Sequence, residues 1–177
     1  MNETLKILKE RRSVRRYEAR PVEREKLDAI LEAGKYAPSA KGQQSVTMVV
    51  LTKREDIAEL SALNAAVMGT SSDPFFGAPC VVVVLADPEA TNAANAQRDG
   101  SLTMGNLMNA AWSLGVASCW INRAEEVFAE PQGKALLRRW GLPERLMGVG
   151  NCILGYAAEG GKKAPAPRKE NYVVLVK

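Results

Sequence analysis

The chain has 177 residues, 46% of them hydrophobic and 25% charged, a balance that suits a globular domain and excludes a disordered or fibrous chain. Its net charge of +4 and pI near 9.0 suit one local anionic site better than a nucleic-acid surface, because no basic stripe or aromatic platform accompanies them. Histidine is absent, which removes Ser-His-Asp and Cys-His nucleophiles, histidine general bases and histidine-ligated metals, so demanding chemistry is expected from a cofactor.

Residues 2–12 carry Leu5 and Leu8 on one helical face among charges, without the apolar core of a secretory signal, and are read as a helix of the mature protein. Residues 13–17 read as extended. Pro21 marks a boundary before a second amphipathic helix over 22–36, with Leu27, Ile30, Leu31 and Ala33 on its apolar face. Residues 37–42 form a small-residue loop. A β-branched strand over 46–51 and a helix over 55–68 follow, then a loop over 69–77 expected to be mobile.

The segment 79–86 is nearly all valine, which predicts a strand covered on both faces by helices. Its apolar run is far short of the roughly 20 residues that cross a bilayer, so no membrane span is expected. Residues 101–114 are apolar nearly all round, as suits a helix in the core or at a subunit interface, and Gly115 stops it. A strand over 116–121, a helix over 131–140 and a strand over 148–156 complete the pattern. Residues 160–169 are too rich in Gly, Pro and charge for regular structure.

The last segment, 172–176, is strand-forming but follows a long arm. An arm of about ten residues spans roughly 30 Å, enough to reach a partner's sheet. Cys80, Cys119 and Cys152 are odd in number and embedded in apolar runs, which suits reduced thiols and a cytoplasmic setting. With no internal repeat, residues 1–177 are expected to form a single domain.

Four constellations could carry chemistry. Arg11, Arg12, Ser13, Arg15 and Arg16 offer guanidinium forks and a hydroxyl suited to a phosphate, or form a solvated basic turn paired with Glu10, Glu18 and Glu23. Pro38, Ser39, Ala40, Gln43 and Gln44 lie in a loop with neutral hydrogen-bonding groups, which is otherwise a polar turn. Residues 115–122, with Cys119, Trp120, Ile121 and Asn122 at their end, form a strand where a flat ring could pack, or else Cys119 and Trp120 belong to the core. Arg168 and Lys169 bring positive charge late in the chain. Neither a dinucleotide fingerprint nor a P-loop occurs.

In chain order, Arg11-Arg12-Ser13-Val14-Arg15, Ala37 to Gln44, Asp99 to Trp120, and Gly155-Tyr156 with Pro167-Arg168-Lys169 resemble the motif series of the nitroreductase family, from about residue 3 to the C-terminus. The resemblance implies an α+β fold, a mixed β-sheet flanked by helices. It also implies a homodimer with FMN at the subunit interface and the C-terminal strand exchanged between protomers. Arg11, Ser13 and Arg168 resemble the FMN phosphate clamp, with Arg12 and Arg15 contributing to phosphate or flavin.

Pro38, Ser39 and Ala40 resemble the loop reaching FMN from the other subunit, and Gln44 belongs to the same loop. Trp120, Ile121 and Asn122 resemble the segment along the flavin ring. The implied activity is ping-pong reduction of an electron-poor acceptor, a nitroaromatic, quinone or related compound, by NADH or NADPH, with no catalytic side chain required. The alternative is a non-catalytic FMN-binding or flavin-sensing protein. Gly42 and Val46 depart from the family's frequent Asn and aromatic, and the 69–77 loop is short.

Overall fold

The β-branched segments pair as the alternation of their side chains requires, and the result is a sheet with helices on both faces. A computed structural model describes residues 2–176. The elements in order are α1 (Glu3–Glu10), α2 (Arg24–Lys35), a single 3-10 turn (Ala40–Gly42), β1 (Val46–Leu51), α3 (Arg54–Met68), β2 (Cys80–Ala86), α4 (Ala93–Ser113), β3 (Ala117–Ile121), α5 (Ala124–Ala129), α6 (Pro131–Arg139) and β4 (Met147–Gly155). The strands lie in the order β1-β2-β4-β3. All three ladders are antiparallel, and among the described residues the parallel pairing expected of a mixed sheet is confined to a bridge between Ser13 and Ser118.

Every residue of β2 is buried, as its valine run predicts. Val81, Val83 and Leu85 face a core closed by α3, α5 and α6, whereas Val82 and Val84 face one closed by α2 and α4. Full burial of such a side chain contributes about 1.5–3 kcal/mol. The three cysteines are buried and unbridged, and burial pushes the Cys80 thiol up to about 12, so it stays protonated at neutral pH.

Three sequence expectations change. Helix α4 begins at Ala93 rather than at 101, because the Asn92 side chain caps it by accepting from the Asn95 N–H at 2.9 Å. Gly100 then lets α4 approach β4, since a Cβ there would lie 2.5 Å from Val149. The 69–77 loop is pinned rather than free: the Asp73 carboxylate accepts from Phe75 and Gly77 N–H and the Ser61 hydroxyl, and Phe75 is fully buried. Helix α5 was not anticipated by any apolar period.

Where α2 begins, the Tyr156 hydroxyl donates to Glu23 and accepts from Lys26 Nζ at 2.9 Å, and the Arg20 guanidinium lies 4.2 Å above the Tyr156 ring. The hydrogen bond from Tyr156, aided by Glu23's own backbone N–H and by Arg20, holds the Glu23 carboxyl at about 2 against an ordinary 4.5. A depressed carboxyl stabilises the fold above its unfolded pKa, and that contribution disappears as pH falls from 4.5 toward 2. Glu23 is well exposed, which keeps the effect small. Urea titrations of Glu23→Gln across this window are expected to show a flatter loss of stability than the parent; an identical slope would remove Glu23 from the acid response.

Candidate functional site

The Arg11 to Arg16 segment leaves α1 and lies against β3, where the Val14 N–H donates to the Ser118 carbonyl at 3.0 Å. Among the described residues, no carboxylate is within ion-pair distance of Arg11, Arg12, Arg15 or Arg16, and Glu23 pairs with Arg20 and Lys26 instead. The arginines are therefore not a turn neutralised by Glu10, Glu18 and Glu23. Arg12 Nη1 donates to the carbonyls of Lys9 at 2.8 Å and Arg11 at 2.5 Å, which orients that guanidinium. Ser13 and Arg15 are exposed beside it.

Several buried polar atoms here have no hydrogen-bond partner among the described residues: Arg11 Nη1, Arg12 Nε, Ser118 Oγ and Trp120 Nε1. Trp120 packs with the α4 layer. Leaving a buried donor unsatisfied costs about 1–3 kcal/mol, more for a charged group. Guanidinium and indole donors sharing one sheet edge and lacking acceptors suit a ligand that carries a phosphate and a flat polar ring.

The strand alternation divides the Trp120 segment. Trp120 faces α4, whereas Cys119 and Ile121 face the α3, α5 and α6 core, so Ile121 has only its backbone to offer and Cys119 is a core residue. Asn122 is exposed. Gly150 forms a seat for Trp120, since a Cβ there would lie 2.6 Å from Nε1 and 2.8 Å from Met104 Cε. Gly150→Ala is expected to displace the indole and cost about 1–3 kcal/mol. A changed tryptophan emission maximum and a lower Tm would report this, and an unchanged spectrum would show that the seat is loose.

Pro38, Ser39, Ala40 and Gln44 lie elsewhere. Their loop leads into β1, at the opposite edge of the sheet from β3, about 14 Å away at roughly 4.8 Å per strand. Pro38, Ser39 and Gln44 line a small cleft of about 170 Å³ with Met48, Asp99 and Thr103. The Ala40 N–H donates to the Asp99 carboxylate at 2.9 Å. Arg168 is exposed on the tail and makes no hydrogen bond or ion pair among the described residues. A larger cleft of about 660 Å³, lined by Thr52, Arg54, Ala58 and Ala62, lies on the α3 side and contains none of the predicted site residues, so it is set apart from the site.

Sequence reasoning gave no role to Asp99 or Ser118, though both lie in the 99–120 motif, nor to Gly150. Asp99 was the recoverable one: Asn92 is a good cap, and a helix started there places Asp99 on the face that carries Thr103 and Leu107.

A profile of the Nitroreductase family matches residues 8–156. The chain is 29% identical over 179 residues to a Bacillus subtilis protein named FMN reductase (NAD(P)H), covering 93% of this chain and 70% of the relative. A crystal structure of a nitroreductase with bound FMN from Bacteroides fragilis superposes with a TM-score of 0.91 at 30% identity, over 100% of both chains. Another, from Desulfitobacterium hafniense, also with bound FMN, gives 0.88 at 29% identity over 100% of both.

Proposed function

Because the chain belongs to the nitroreductase family, we propose that it is an FMN-dependent NAD(P)H oxidoreductase acting on an electron-poor acceptor such as a nitroaromatic or quinone. The observation that carries the reading is the set of buried, unpartnered donors of Arg11, Arg12 and Trp120 along one sheet edge. FMN supplies the redox chemistry, hydride transfer from NADH or NADPH followed by ping-pong reduction of the acceptor.

The residues of this chain bind and orient. Arg11 and Ser13, with Arg168, hold the phosphate, and Arg12 and Arg15 add positive charge toward phosphate or ring. Trp120, the Ile121 backbone and Asn122 would hold the ring. Protons come from solvent, which agrees with a chain that has no histidine.

The wide separation of the Pro38 to Gln44 loop from Arg11 supports a site closed by two copies, the loop of one protomer covering the clamp of its partner. The C-terminal arm supports the same homodimer: Tyr172 to Val176 are 68% to 93% exposed and unpaired in the single chain, which suits a strand exchanged with a partner. Residues 1–177 then act as one FMN-binding domain.

Anaerobic addition of NADPH or NADH to the purified yellow protein is expected to bleach its absorption near 450 nm, and oxidised acceptor then restores it. A flavin that stays oxidised would point to a binding protein, and a colourless chain that cannot be reconstituted with FMN would refute the assignment.

A further inference from the structure

On α4, Asp99 is 3% exposed and has no cationic partner within ion-pair distance among the described residues. A buried carboxylate costs several kcal/mol unless its oxygens are satisfied. Both are used on one surface loop: Oδ1 accepts from the Ala40 N–H at 2.9 Å and Oδ2 from the Ser45 hydroxyl at 2.8 Å. Between those anchors the backbone is left-handed at Lys41, Gly42 and Gln44, with φ of 54°, 67° and 49°. The Gln44 N–H donates to Ser39 Oγ at 3.0 Å, so that hydroxyl also serves the loop.

Each non-glycine residue in this conformation costs on the order of 1 kcal/mol and persists only where its surroundings over-determine it. Helix α4 supplies that determination, and the segment it constrains is the one that carries Pro38, Ser39 and Ala40.

We propose that Asp99 is a positioning residue: its carboxylate holds the 38–44 loop in the one shape that closes the FMN site of the partner subunit. This rests on the cross-subunit reading of the site above. The side chain of Asp99 is spent on Ala40 and Ser45, and its effect passes through them.

Equilibrium FMN titrations of the dimeric apoprotein, with thermal unfolding measured in parallel, test the role. Asp99→Leu is expected to weaken FMN binding about tenfold, the equivalent of one lost charged hydrogen bond. Asp99→Asn, which keeps one oxygen and the side-chain shape, is expected to recover most of that loss. Ser45→Ala removes one anchor without disturbing the helix and is expected to give an intermediate weakening, which keeps the test available if the leucine variant fails to fold. Lower Tm with unchanged FMN affinity in the folded variants, or an asparagine variant as weak as the leucine one, would overturn the proposal.

A dimer mixed from Arg11→Ala and Asp99→Leu chains separates the two readings. If loop and clamp meet across subunits, one site carries both defects and the other none, so half the sites bind FMN at parental affinity. Two weakened sites, each carrying one of the two defects and neither at parental affinity, would overturn the cross-subunit arrangement, whereas unchanged affinity in the Asp99→Leu homodimer would overturn the role of Asp99 alone.

Discussion

Replacing Arg11 by alanine is expected to weaken FMN binding by about 2–3 kcal/mol, between 30-fold and 150-fold, while leaving the fold intact. The guanidinium is partly buried, its Nη1 has no partner, and among the described residues no carboxylate pairs with it, so its removal breaks no side-chain hydrogen bond or ion pair described there. Truncation even relieves a buried unpaired donor. The apoprotein should therefore melt no lower than the parent, and higher if desolvation of that donor is felt. Binding is measured by titrating apoprotein with FMN and following flavin fluorescence. Affinity equal to the parent's would remove Arg11 from the clamp.

Deleting residues 172–177 is expected to weaken the dimer by about 4 kcal/mol, roughly a thousandfold in dissociation constant, if two or three of its apolar side chains are fully buried against a partner. The described part of the segment carries Tyr172, Val173, Val174, Leu175 and Val176, all highly exposed in the single chain. Such a patch is unfavourable unless it is covered. Sedimentation at falling concentration should show the truncated chain dissociating where the parent does not, with FMN lost in step if the site is closed by two protomers. A truncated dimer with the parent's dissociation constant and full flavin content would refute strand exchange.

The elements with strong periodicity were legible in the sequence. Strands 46–51 and 79–86 matched β1 and β2 to within a residue, because β-branched runs between polar ends leave little choice. The start of α4 was not legible, since Ala-Ala-Asn-Ala-Gln-Arg-Asp-Gly has too few large apolar residues to show a period, and its helicity rests on the Asn92 cap and on packing of Gly100 against Val149. The loop at 69–77 looked free because an Asp in a turn-forming segment does not reveal from sequence which groups it will bind, and Asp73 pins the loop through three hydrogen bonds.

By itself, the sequence determined the residue types available for binding and the absence of any histidine to do acid-base work. It also determined the two-sided burial of β2, because these depend on composition and short-range pattern. Only the tertiary structure decided that Arg11 to Arg16 lie beside β3 with no carboxylate partner among the described residues, that the Pro38 loop lies at the other sheet edge, that Trp120 and Ile121 face opposite layers, and that Asp99 holds the loop. Those facts depend on strand order and helix approach, which are set by contacts between residues distant in the chain, such as the 59 positions between Ala40 and Asp99. Local pattern carries no record of such contacts.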